Sequence, residues 1–180
     1  MKKLTKFIPI FKRIRSFFNL NTLRTLYHAL VYPNFIYCIS VWGGANKTTM
    51  KSINVLQKGI IKSILGVNRR TPSLQIFNDL RLLCLNQIYI YMCGTYVYRC
   101  TNSSYDHIRT FEQRPYLINT RQSTMGLLHE PFTALSVCRQ AIAYQGPKIF
   151  NSIPREIRLL DSYAVFKLHH KKYLLAASNG

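Results

Sequence analysis

Apolar residues recur at Leu4, Phe7, Ile8, Phe11, Ile14 and Phe18. This three-to-four spacing predicts a helix, which Pro9 either kinks or shifts to a start near residue 8. Asn19 or Asn21 ends it or caps the next segment, "TLRTLYHALVY", which Pro33 is expected to break. The stretch "PNFIYCISVW" fits a short buried helix opening at Pro33, or equally a strand, because it is rich in β-branched and aromatic residues. "GGANK" reads as a turn. Residues 47–65 carry the clearest helical pattern, with Thr48 or Thr49 as cap and Gly66 as stop. Ile53, Leu56, Ile60 and Ile64 cluster on one face of it. Lys47, Lys51, Lys58 and Lys62, with Asn54 among them, share a wedge of roughly 80° on the opposite face.

The pattern weakens further on. "TPSLQIFNDL" suits a short helix with Thr71 as cap and Pro72 in its first position. "CLNQIYIYMCGTYVYRC" shows a helical stripe at Leu85, Ile88, Met92 and Tyr96, while Tyr89/Tyr91 and Tyr96/Tyr98 alternate as in a strand; its length favours a helix. Residues 101–140 are weakly patterned. In "AYQGPKIFNSIPREI", residues 143–157, three backbone breakers sit among apolar residues. Gly146 is expected to turn the chain, Pro147 to open a short helical turn and Pro154 a second one. Ile149, Phe150 and Ile153 would then form an apolar clasp on a last helix that Asp161 or Ser162 caps. The predicted class is mainly α, organised as a basic helical region over 1–100, an irregular extension over 101–140, and a Gly-Pro corner with a C-terminal helix over 141–180.

Charge changes this picture most. The 180 residues carry 25 Lys+Arg against 6 Asp+Glu, a formal net charge of +19. No acid precedes Asp79, whereas thirteen Lys and Arg do. A compact state with such an imbalance repels itself, and a polyanion relieves it, so nucleic acid or an anionic membrane surface is the first partner to consider. Four lysines on one helix face with no Glu or Asp make none of the i,i+4 pairs that support a merely solvated face. Anion contact by Lys47, Lys51, Lys58 and Lys62, continued by Arg69 and Arg70, is the expectation. The tyrosines of residues 85–100 suit base stacking or, with their hydroxyls at a rim, core packing.

Little points to catalysis. The sequence has no Asp-Asp, Asp-x-Asp or Asp-x-Glu and no glycine-rich phosphate loop. Cys93, Cys100 and His107 match no zinc spacing, and five loosely spaced cysteines fit reduced thiols. No cofactor or metal is expected. No apolar run reaches the ~18 residues of a membrane span, and no secretory signal supports the sequons at Asn46 and Asn102, so an intracellular chain, nuclear or cytoplasmic, is expected.

Three stretches resemble the C-terminal part of reverse transcriptases from jockey-like non-LTR retrotransposons. The first, residues 23–66, carries Tyr32-Pro33, Trp42-Gly43 and Leu56-Gln57-Lys58 in the places of that family's post-palm segment. "NTRQ" at 119–122 resembles its Asn-x-Arg box. "YQGPKIFNSIP" at 144–154 resembles its Gly-Pro, Trp-Asn, Leu-Pro box, with Phe150 in place of Trp and Ile153 in place of Leu. The resemblance implies a helical thumb-like bundle that grips RNA or an RNA–DNA hybrid, with Tyr32, Pro33, Trp42, Gly43, Gly146, Pro147, Phe150 and Pro154 as structural positions. The family's Ala-Asp-Asp metal box is absent from this sequence, so the chain is expected to be no polymerase by itself, and the missing palm and fingers are an implied partner. The alternatives are a stand-alone helical protein-interaction module and a non-functional retroelement remnant.

Overall fold

The computed structural model describes residues 2–44, 47–68, 70–102, 111, 127–135 and 138–177. The 119–122 box, Arg69, His107 and Asn46 lie outside them, as does most of 101–140. Among the described residues the fold is mainly α: α1 (Lys2–Thr5), α2 (Phe7–Ile14), α3 (Leu20–Leu26), α4 (Tyr32–Ile36), α5 (Ile39–Trp42), α6 (Lys47–Leu65), α7 (Ser73–Asp79), α8 (Leu85–Thr101), α9 (Ile142–Asn151), α10 (Arg155–Arg158) and α11 (Tyr163–Ala176). The ambiguous "CLNQIYIYMCGTYVYRC" is helical from Leu85 on, whereas "PNFIYCISVW" is neither a strand nor one helix: α4 and α5 are parted by a turn at Tyr37-Cys38, where Cys38 takes φ +50°. No described helix is long and apolar enough to cross a membrane.

The chain forms two compact units. The first takes residues 1–39, 45–89 and 174–180. Of the two expectations for Pro9, the shifted start is the one found: α2 begins at Phe7, so Pro9 falls in its opening turn, where a missing N–H costs no helical bond. Pro33 does not break its segment: Tyr27–Val31 is a π-helical stretch joining α3 to α4 across it. The wider π turn re-phases the ladder ahead of the residue that cannot donate, and Asn34 Nδ2 donates to the Leu30 carbonyl (2.7 Å). Thr48 and Thr49 lie inside α6, which opens at Lys47, and Pro72, not Thr71, is the N-cap of α7. Gly66 does end α6: at φ +71° it takes the left-handed conformation that favours glycine, and its N–H donates to the Lys62 carbonyl (2.9 Å).

α2, α3 and α7 pack on α6. Its core residues Ile60, Ile61 and Ile64 are buried, while the expected Ile53 and Leu56 are half-buried. Gln57 is fully buried, and its Nε2 donates to Tyr27 Oη (3.0 Å) and to the Leu83 carbonyl (3.0 Å). This amide ties α6 to the π stretch and to the chain entering α8. Burial raises the Tyr27 phenol above its ordinary pKa, so it stays neutral.

The second unit takes residues 40–44 and 90–173. Val97, Tyr98, Phe111, Leu128, Phe150, Ile153 and Phe166 make its core, with Tyr98 stacked on Phe166 at 4.0 Å between centroids. The expected corner at Gly146-Pro147 is overturned, because α9 runs straight through both. Gly146 is there for close approach: a Cβ would stand 2.9 Å from Val97 Cγ2 and 3.1 Å from Phe111. Pro154 marks the real corner as the N-cap of α10. Phe150 and Ile153 are buried and Ile149 half-buried, with the Phe150 ring 6.4 Å from that of Phe166 on α11. Asn151 closes the corner by exchanging two hydrogen bonds with the Leu128 backbone (2.9 and 3.1 Å). Trp42 is half-buried and Gly43 buried; in the first unit Tyr32 is half-buried and Pro33 exposed.

Candidate nucleic-acid interface

The lysine wedge is present on α6, but it is not evenly presented. Lys51 is exposed, whereas Lys58 and Lys62 are half-buried. Lys47 opens the helix. Arg70 is exposed beyond the helix end, its N–H donating to Asn68 Oδ1 (3.3 Å).

The structure adds a second basic element that the wedge did not include. A groove of about 150 Å³ runs between α2 and the C-terminal half of α6, lined by Ile8, Lys12, Arg15, Gly59, Lys62, Ser63 and Val67. Ile8 and Lys12 on α2 and Arg15 at its C-cap follow one another at helical spacing, so the side facing the groove carries an apolar contact and then two cations. Gly59 sits mid-helix at a cost of about 1 kcal/mol relative to alanine. A Cβ there would make only ordinary contact with Ile8 Cδ1 at 3.4 Å, so the packing leaves room for a methyl but not for a large side chain. Lys12 and Lys62 line the same groove.

Arg15 lies at the groove's end. Its guanidinium lies against Gly66, such that a Cβ on residue 66 would collide with Nη1 and stand 3.0 Å from Cζ. Gly66 follows the last turn of α6, where the helix dipole leaves partial negative charge, so the guanidinium is favoured there. Lys12, Arg15 and Lys62 thus present three cations around an apolar floor of Ile8 and Val67, with no Asp or Glu anywhere in residues 1–78.

Such a surface offers position-fixing cations and no base-reading polar pattern. Among the described residues no group of three or more His, Cys, Asp or Glu comes together. Lys12 and Arg15 were countable in the sequence as charges, but their place in the site depends on α2 docking at Gly59. The available sequence signal was that glycine, isolated on the flank between the lysine wedge and the apolar face. The tyrosines of α8 divide by face: Tyr89 and Tyr98 are buried, Tyr91 is half-buried and Tyr96 exposed. No family model, no curated protein and no solved structure matches the chain.

Proposed function

We propose that this chain binds nucleic acid, RNA or an RNA–DNA hybrid, by gripping phosphates in the α2–α6 groove and along the α6 lysines. Its role in this reading is that of a thumb-like part of a retroelement reverse transcriptase, without polymerase chemistry of its own. The observation that carries it is the convergence of Lys12, Arg15 and Lys62, from two helices, on one groove in a region with no acid before Asp79. Several cations that line one groove can contact neighbouring phosphates together, which fixes position without reading bases. Lys51 and Lys58 extend the track along α6.

Binding of this kind is tolerant of sequence and steep in salt, with log K falling by about 0.7–0.9 per log unit of salt for each phosphate neutralised. The test is a titration of mixed-sequence RNA and of a hybrid duplex against the full chain across a salt series. The double variant Lys12→Glu, Lys62→Glu should bind at least tenfold more weakly, with a salt slope shallower by about 1 per lysine, while its helical circular dichroism is unchanged. Affinity that stays flat across the salt series, or a double variant that binds like the parent, refutes the proposal.

A further inference from the structure

The chain leaves α2 through a hydrogen-bonded turn. The N–H groups of Phe17 and Phe18 both donate to the Ile14 carbonyl (3.0 and 3.2 Å), and Ser16 Oγ donates to the Arg13 carbonyl (3.1 Å). Two phenyl rings therefore follow Arg15 on an ordered backbone. Phe17 is 80% exposed and Phe18 47%. A lone exposed apolar residue calls for no explanation. These rings, however, come two and three residues after Arg15, which lines a groove carrying three cations.

Cations that track a phosphate backbone, together with an aromatic platform, are the working parts of a single-strand site. A duplex keeps its base faces inside the stack and offers an exposed phenyl ring nothing to lie on except at its ends. We infer that the groove takes single-stranded nucleic acid, with a phosphate among Lys12, Arg15 and Lys62 and a neighbouring base stacked on Phe17. This rests on the nucleic-acid reading above and adds strandedness and a base contact to it. The base contact is blind to sequence, because every base has a π-face.

The experiment compares three probes on the full chain: a mixed-sequence RNA of about 10 nucleotides, within the site size of single-strand binders, an abasic phosphodiester strand of the same length, and the blunt duplex. The RNA strand should bind about 5- to 100-fold more tightly than the abasic strand, the range expected of one stacked base. Phe17→Ala should bring RNA affinity down to that of the abasic strand and leave both abasic binding and the melting temperature unchanged. Phe17→Trp should keep RNA affinity, and its fluorescence should be quenched on binding by more than that of Trp42 alone in the parent. Equal binding of RNA by the parent and Phe17→Ala overturns the inference, as does equal binding of RNA and abasic strand, or tighter binding of the duplex; all three leave the phosphate-gripping function standing. If no probe binds, that function falls and the inference with it.

Discussion

Acid should weaken the second unit through one side chain, His170. It lies on α11 one turn beyond Phe166 and is fully buried. Its ring is 5.4 Å from that of Phe166 and 5.6 Å from that of Tyr91, and it covers Gly94, where a Cβ would stand 2.6 Å from Cε1. Neither ring nitrogen has a hydrogen-bond partner. An imidazolium there would carry two unsatisfied donors in apolar surroundings, and burial pushes the pKa down from 6.5 to about 4. Between those values the unfolded chain binds the proton and the folded chain does not, so stability falls as pH drops. The contribution is complete above pH 6.5 and is lost progressively down to the folded-state value. At about 1.4 kcal/mol per pH unit, the loss approaches about 3 kcal/mol, a large share of the ~5–15 kcal/mol that holds a domain together. The perturbation is His170→Leu, which removes both the titration and the two unpaired nitrogens. Trp42, the single tryptophan, falls in the same unit and reports its unfolding in urea. Between neutral pH and about 4.5, the parent should lose about 2–3 kcal/mol more than His170→Leu. At neutral pH the variant should equal or exceed the parent by about 1 kcal/mol, because an unmet buried polar group is removed. Every other group titrates in both proteins and cancels in the difference. Identical pH slopes, or a variant several kcal/mol less stable at neutral pH, would refute this account of the site.

Phe150→Ala should cost about 3–5 kcal/mol in urea unfolding, since the ring is buried in the core that receives α11; a loss under about 1 kcal/mol would show that the core does not depend on it. Gly66→Ala should lose about 1–2 kcal/mol from its left-handed backbone alone, and by displacing Arg15 it should also weaken RNA binding, whereas unchanged affinity would detach Arg15 from the site. Gly59→Ala should keep binding and gain up to about 1 kcal/mol of helix stability, because its methyl only reaches contact with Ile8. Gly59→Leu should lose binding without any change of charge, and full binding by it would mean that α2 does not need to sit on α6.

Helical periodicity made α6 and its lysine wedge legible, and Gly66 as its stop, because these are local properties of the sequence. The prolines were legible only in part. Pro9 lies in the opening turn of a helix that starts near the expected residue, whereas Pro33 and Pro147 lie within helical stretches: a π stretch re-phases the ladder ahead of Pro33, and α9 continues through Pro147. His170 was visible as one of two adjacent histidines, but its burial follows from its ring lying over Gly94 on α8, a long-range contact that no local pattern carries. The groove was half legible for the same reason. Lys62 could be assigned to a face, but not its convergence with Lys12 and Arg15.

Gly59, Gly94 and Gly146 all lie within helices, where glycine costs about 1 kcal/mol each relative to alanine, but only at Gly94 and Gly146 does a neighbouring side chain press on the place the Cβ would take: His170, and Val97 with Phe111. Helix propensity alone would replace all three with alanine. At Gly94 and Gly146 even that methyl would press closer than 3.0 Å on a packed side chain, so the cost sustains the core of the second unit. At Gly59 the methyl would fit at 3.4 Å, and only a larger side chain would force α2 away. In the proposed reading it is the charge of the groove, not the glycine, that draws a polyanion: Lys12, Arg15 and Lys62 line it in a region with no acid before Asp79, so a bound phosphate would meet attraction there with no carboxylate from the same region to oppose it.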